Sequence, residues 1–507
     1  MPSPRPRPRP PVWARELAGL LAACAMALIV VGHLASDPAR GNLLLLDPDS
    51  MLNQLVVSSL HAGQGQDWAM SPVLFIPEIG LYWLISLLGL NVSATLLVSA
   101  VVNVVLLYGA VRLVAGRRER LAHPVTGALL TYGLYCILAL LESGGDRDSM
   151  ELASLLATTT YYAMSVLAAV VTIGLVRRIL GRTTVIPVIA LALVGLVSAF
   201  TNPLFALWAT APAALALIAV GRRALSWRVL LIVEGALIVP AAIGIFARTP
   251  LKRLIVANPD LYAKPDQWQQ SIAYYFGLVV DLTRTPGGWA EIALVLLLLA
   301  LPLVATALTR RADDRFLAVV GWLSPLVTVV WAIAFGTVAA RYLQPLVYLP
   351  LLTAVLVPTF VCARVTWTRA RVRALRIVAA VAAVVLIALA AVQPARIADA
   401  SARAEASVAC VVDWIDHAGR TGAGQFWTIR PVKARLADPA RLLQTGPDFV
   451  PYLWLVNRQD YPGAKITFAV TDAASFPFQY PAGAQITDLT CGSYTIHDFR
   501  DTPVFLP

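Results

Sequence analysis

The chain has 507 residues, 58% of them hydrophobic and 14% charged, with a formal net charge of +11. At a mean hydropathy of +0.72 it is too apolar for a water-soluble domain, which is roughly half apolar and a quarter charged, or for a disordered chain. The basic excess lies between Met1 and Gln393, with 30 basic against 18 acidic residues. Those Arg clusters sit at the ends of apolar runs, where membrane topology accounts for them, so no nucleic-acid partner is expected.

Residues 1–15, with the repeat Arg5-Pro6-Arg7-Pro8-Arg9-Pro10, read as a disordered basic cytoplasmic tail without a packable core. The first apolar run, 17–34, reads either as a cleavable signal or as a retained anchor. Its near-span length and the runs that follow favour the anchor. Further runs lie at 74–90, 92–114, 125–141, 161–176, 185–200, 204–220, 229–247, 292–308, 316–338, 343–362 and 377–392. A helix needs about 20 apolar residues to cross a hydrocarbon layer of roughly 30 Å. If 74–90 crosses, 11 Lys and Arg fall inside and 19 outside. If it is a re-entrant or interfacial helix, the split is 22 inside and 8 outside. The positive-inside rule selects the second arrangement. Pro77 and Glu78 within the segment agree, since both are costly at the centre of a lipid-facing helix. The expected fold is therefore an α-helical polytopic protein of the cell membrane. It has about 11 transmembrane helices over 16–393 plus one outer interfacial helix, the N-terminus cytoplasmic and the C-terminus extracytoplasmic.

Three loops then reach the outer face, at 35–91, 142–160 and 248–291. Residues 394–507 read as a soluble extracytoplasmic α/β domain. Within it, 404–418 is an amphipathic helix with Val408, Val411, Val412 and Ile415 on one face. Strands are expected at 425–429, 452–457, 466–471 and 493–496. Cys24, Cys136 and Cys362 lie in apolar spans. Cys410 and Cys491 both lie in the outer domain, where an oxidising compartment allows them to pair. No cysteine or histidine spacing suggests zinc.

The first outer loop contains Asp47-Pro48-Asp49, then Met51, then Leu60-His61-Ala62-Gly63-Gln64-Gly65. Two carboxylates one residue apart at a span end suit a general base or a cation site. An Asx-Pro turn capping a helix near Ser50 is the plainer reading. The second loop carries Glu142, Asp146, Arg147, Asp148 and Glu151 before Tyr161 and Tyr162. Its acids either complete a cation site or form a solvated loop around Arg147, and the latter is the commoner arrangement. Arg341 and Tyr342 occupy a short turn between spans, where Arg341 either forks onto phosphate or snorkels to headgroups. Lys252 and Arg253 are similar candidates, more commonly interfacial anchors. Asn202 stands at a polar-Pro turn and is either a ligand contact or a helix stop. Glu234 lies inside the 229–247 span and is the main signal for a lipid or polysaccharide transporter or flippase. An assembly protein whose outer domain binds a partner is a third reading.

The Asp47–Gly65 stretch, the following 71–89 segment and the span layout resemble the GT-C superfamily of multispanning membrane glycosyltransferases. The pattern departs beyond Gly65, where Gln66-Asp67-Trp68 stands. The resemblance implies transfer of a hexosyl or pentosyl group from a polyprenyl-phosphate sugar donor, in the cell envelope, to a glycan, lipid or protein acceptor on the outer face. It implies an acidic residue of the first loop as base: Asp47 first, Asp49 second. Arg341, Lys252, Arg253, Asn202 and Tyr342 are the expected donor contacts. Asp47, Asp49 and Glu142 are the candidate ligands should a divalent cation serve as cofactor.

Overall fold

The computed structural model describes residues 11–116, 123–256, 263–365 and 368–506. The Arg-Pro repeat and the cluster Arg117, Arg118 and Arg120 lie outside the described residues. Among those described, nine helices are long and apolar enough to cross a membrane, and Val185–Thr201 and Ala206–Gly221 are shorter apolar helices. The protein is a multi-pass helical membrane protein. The first helix, Val12–Ser36, starts earlier than expected, so residues 12–15 are helical and not part of a disordered tail. The Ile76–Ser86 helix has 11 residues, roughly 16 Å at 1.5 Å per residue, about half a hydrocarbon layer. It does not cross.

Local chemistry sets the helix ends. The Asn91 side chain accepts the Ala94 N–H at 2.8 Å to start Val92–Ala115, and Gly116 ends it at φ 72°. Thr285 caps Pro286–Leu308 through the Gly288 N–H at 3.0 Å. Two expected spans are not continuous α-helices. The 343–362 run breaks into Pro345–Leu351, a 3₁₀ stretch Leu352–Leu356 and Val357–Arg364. Pro350 and Pro358 cannot donate into the ladder there. The 204–220 run opens with a π turn, Ala206–Thr210, just ahead of Pro212. The 248–291 loop holds a helix, Trp268–Leu282, that sequence reading treats as loop.

The C-terminal part carries a mixed sheet. Its strands are β2 (Thr421–Gly424), β3 (Leu442–Gln444), β5 (Lys465–Thr471), β6 (Thr487–Cys491), β7 (Tyr494–Asp498) and β8 (Val504–Phe505). The order is β3-β2-β5-β7-β6, with β8 beside β5. β2 runs parallel to β3 and β5, and the other pairs are antiparallel. The Gln393–Ala418 helix buries Val408, Val411 and Ile415 against Phe468, Val470 and Ile496. It begins eleven residues before the expected 404–418 helix. The Cys410–Cys491 disulfide ties it to β6, as expected from the sequence, with Cα atoms 5.5 Å apart. The expected strand 425–429 is instead the start of a helix, Phe426–Lys433. The strand lies just before it, in Thr421–Gly424, where a Cβ on Gly422 would meet the Phe468 ring at 2.1 Å. Two short strands, β1 (Trp68–Ala69) and β4 (Val456–Asn457), pair antiparallel and fasten the first loop to this domain.

Candidate functional site

The first loop folds into a helix Pro38–Leu45, a 3₁₀ turn Asp49–Met51 and a helix Leu52–His61. Asp47 is the capping residue of the turn: its Oδ2 accepts the Ser50 N–H at 3.0 Å. The Tyr161 hydroxyl reaches Asp47 Oδ2 at 2.9 Å and Asp49 Oδ2 at 3.3 Å. It has one proton to give, and Asp47 is the nearer acceptor. Arg147 Nη1 stands 3.7 Å from Asp47 Oδ1. Asp47 is 8% exposed. Burial, with Asp49 adding repulsion, pushes its carboxyl up to about 6, against the pull of Arg147, Ser50 and Tyr161.

The C-terminal domain holds this loop from above. Arg430, fully buried on the Phe426–Lys433 helix, donates from Nε to the Pro48 carbonyl at 2.7 Å and from Nη1 to the Leu455 carbonyl at 2.7 Å. The Pro48 peptide between the two aspartates is therefore fixed by a residue nearly 400 positions away. Burial lowers the Arg430 guanidinium to about 10, so it remains charged at neutral pH.

The second loop is solvated only over residues 143–150, which are exposed or half-buried. Residues 151–163 are all buried. Glu142 accepts the Ala153 and Ser154 N–H groups at 2.6 and 2.7 Å, and Glu151 pairs with buried Arg40 and accepts the Ser143 N–H at 3.0 Å. Glu142 is thus consumed by the fold and does not join Asp47 and Asp49. Among the described residues no group of three His, Cys, Asp or Glu side chains could hold a metal ion. The expected Asp47–Asp49–Glu142 cation site is not assembled. Arg147 does serve as an internal partner, toward Asp47 and toward Asp148 at 3.5 Å.

Two adjoining cavities meet at Asp49, Arg341 and Tyr342. One, about 400 Å³, lies between the helices and is walled mainly by Val73, Phe75, Leu204, Leu207, Trp331 and Phe335. The other, about 360 Å³, opens beneath the C-terminal domain and includes Arg147, Lys264, Gln267, Gln270 and Trp427. Asp49 lines both and Asp47 lines neither. Arg341 sits on the 3₁₀ turn Ala340–Leu343, with Nη1 2.5 and 2.6 Å from the two Asp148 oxygens. Phe75 and Tyr162, two lining residues, hold left-handed backbone at φ 53° and 68°, a strained conformation that recurs at ligand sites.

The other expected contacts divide. Tyr342 lines both cavities, and Asn202 lines the apolar one. Asn202 is also fully engaged: Nδ2 donates to Ser165 Oγ at 2.9 Å and Oδ1 accepts the Leu204 N–H at 3.0 Å. Lys252 and Arg253 are exposed and line neither cavity. Their stretch is turned toward the C-terminal domain, where the Arg253 carbonyl accepts from Arg458 at 3.0 Å. Lys264 takes the place expected for them. Sequence reading also gave no role to Trp427 or Arg430. Trp427 lies in the segment read as a strand and Arg430 directly follows it, and no local pattern announces a contact so distant in the chain.

No family model matches the chain and no curated protein matches it, so the functional reading rests on the geometry above.

Proposed function

We propose that the protein is an integral-membrane glycosyltransferase of the GT-C type, with eleven spans and its C-terminal domain outside. It moves a sugar from a polyprenyl-phosphate carrier to an acceptor at the outer face. The observation that carries this reading is the joining of an apolar chamber to a polar mouth, with one carboxylate and one guanidinium at the junction. A polyprenyl chain suits the wall of Val73, Leu204, Leu207 and Phe335. The phosphate suits Arg341: Asp148 occupies Nη1, leaving Nε and Nη2 to fork onto phosphate oxygens.

The step is a substitution at the anomeric carbon. The acceptor hydroxyl gives its proton to a carboxylate as its oxygen attacks, and the bond from carbon to phosphate oxygen breaks. The leaving polyprenyl phosphate keeps the electron pair, its charge held by Arg341. Access to both cavities favours Asp49 as the base. Asp47 is the positioning residue: it caps the turn that carries Asp49 and draws Tyr161 and Arg147 inward. Arg147 and Lys264 supply further positive charge at the mouth.

The test is the purified protein with a panel of polyprenyl-phosphate sugars, following release of polyprenyl phosphate. Release with one or more donors is expected. No release with any donor, alone or with mixed envelope glycans and lipids as acceptors, sinks the reading.

A further inference from the structure

The mouth of the site carries groups that the base, the phosphate cation and the lipid chamber leave unused. Trp427 and Tyr452 line it and are 52% and 50% exposed. Both rings rest against the buried Phe426 ring, with centroids 4.7 and 6.1 Å away. The Arg147 guanidinium covers one side of Trp427, 4.1 Å from the ring centroid, so the exposed part of the indole is the other side. Large aromatic rings held rigid and half in water beside a cavity are a binding feature, because they lose free energy until something apolar covers them.

The mouth also carries polar side chains. Gln267 and Gln270 bring two side-chain amides from the entry and first turn of the Trp268–Leu282 helix. Neither amide has a hydrogen-bond partner among the described residues. With Asp49, Arg147 and Lys264 they offer donors and acceptors around the aromatic pair. This is the complement of a sugar ring, which has an apolar C–H face and a rim of hydroxyls that both donate and accept. A peptide would be gripped through its backbone by an open strand edge or a helix groove, and the mouth is walled by side chains. A lipid acceptor would need a mostly apolar mouth, and Asp49, Arg147, Lys264, Gln267 and Gln270 interrupt the apolar lining of Val338, Ala339 and Trp454.

We infer that the acceptor is a glycan whose end residue stacks on Trp427 and Tyr452, with its hydroxyls toward Gln267 and Gln270. This deepens the transferase reading and rests on it for the word acceptor, but the binding itself does not need a donor. Stacking on Trp427 also places the sugar in the cavity that Asp49, the proposed base, lines.

The experiment is saturation-transfer NMR on the full chain without donor, in a zwitterionic detergent, since a glycoside detergent would compete for the mouth. The probes are four neutral linear hexasaccharides, of glucose, mannose, galactose and arabinose. At least one is expected to bind wild type. Trp427→Ala is expected to weaken that binding about tenfold, with Trp427→Phe restoring most of it. Tyr452→Ala is a second, independent variant should Trp427→Ala melt early. The inference is overturned if none of the four binds, if the alanine variants bind like wild type, or if pooled Ser/Thr-rich peptides bind through Trp427 instead. Trp427-dependent glycan binding in a protein that releases no carrier from any donor supports this inference and removes the transferase reading. Carrier release without glycan binding does the reverse.

Discussion

Replacing Asp47 by Asn separates two accounts of the paired aspartates. A buried carboxylate facing Arg147 looks like a stabilising ion pair, but the balance of forces on it is unfavourable. The carboxyl rises from its ordinary 3.8 to about 6 in the folded protein, with burial the largest cause and Asp49 the second. The folded state therefore takes up a proton between those values that the unfolded chain does not. Stability falls as pH rises through that window and stays lower above it. The shift corresponds to about 3 kcal/mol at pH 8, reached between roughly pH 4 and 6. Asn carries no charge to bury, and its amide oxygen can still accept from Ser50 or Tyr161. Asp47→Asn is thus expected to melt at or above the wild-type temperature at pH 8, with about two thirds of the advantage gone at pH 4.5. Thermal unfolding in detergent at the two pH values reads this directly. A variant less stable than wild type by the same margin at both would refute the reasoning and restore a simple ion pair with Arg147. In the proposed mechanism Asp47 positions and does not react, so its Asn variant should also retain transfer within about tenfold of wild type.

Asp49→Asn removes the carboxylate that faces the cavities and should cut transfer by about 10²–10⁴, with melting unchanged; a kinetic assay beside a melting curve checks both. The Cys410–Cys491 bridge spans 81 positions, so loop-closure entropy sets a ceiling of about 4.5 kcal/mol on its stabilisation. Mass spectrometry without reductant should find the two peptides linked, and the double Ser variant should unfold earlier than wild type. For topology, a cysteine at Ala473 in intact cells should react with an impermeant thiol reagent, while one at Arg182 should be shielded. Labelling at Arg182 alone would invert the outer-face assignment.

The span pattern was legible because 20-residue apolar runs have few other uses. The placement of 74–90 followed from two costs visible in the sequence, a misplaced basic count and a Pro-Glu pair, and the helix found there is too short to cross. The Cys410–Cys491 pair was legible from location alone. What the sequence hid depends on long-range contact. Glu142 and Glu151 looked like loop acids because nothing local says that Arg40 and four backbone N–H groups wait for them. Gln425-Phe426-Trp427-Thr428-Ile429 reads as a strand by composition, yet becomes helical where Ile429 and Val432 must face Phe468 and Leu442. Which of the two aspartates faces the cavities was hidden for a similar reason. Sequence shows two acids flanking a proline, and only the turn decides which one caps it and which one turns to the cavity.

Glu234 was the main signal for a transporter, and its setting weakens that signal. It lies in the Trp227–Phe246 helix, and neither carboxylate oxygen has a hydrogen-bond partner. It lines neither cavity of the candidate site. A third cavity, of about 660 Å³, lies at the opposite helix ends, among Arg15, Arg112 and His123, and shares no residue with the other two. Alternating access needs a site near the midplane that can open both ways, set among broken helices. Here the broken helices, at Ala206–Thr210 and Leu352–Leu356, lie along one bundle whose candidate site opens beneath the C-terminal domain. That domain is pinned to the first loop by β1–β4 pairing, by Arg430 on Pro48 and by Arg435 on the Leu45 carbonyl at 3.3 Å. A roof fastened at three points to the loop that carries the carboxylates holds a reaction geometry still. A carrier would need the same contacts to break in every cycle.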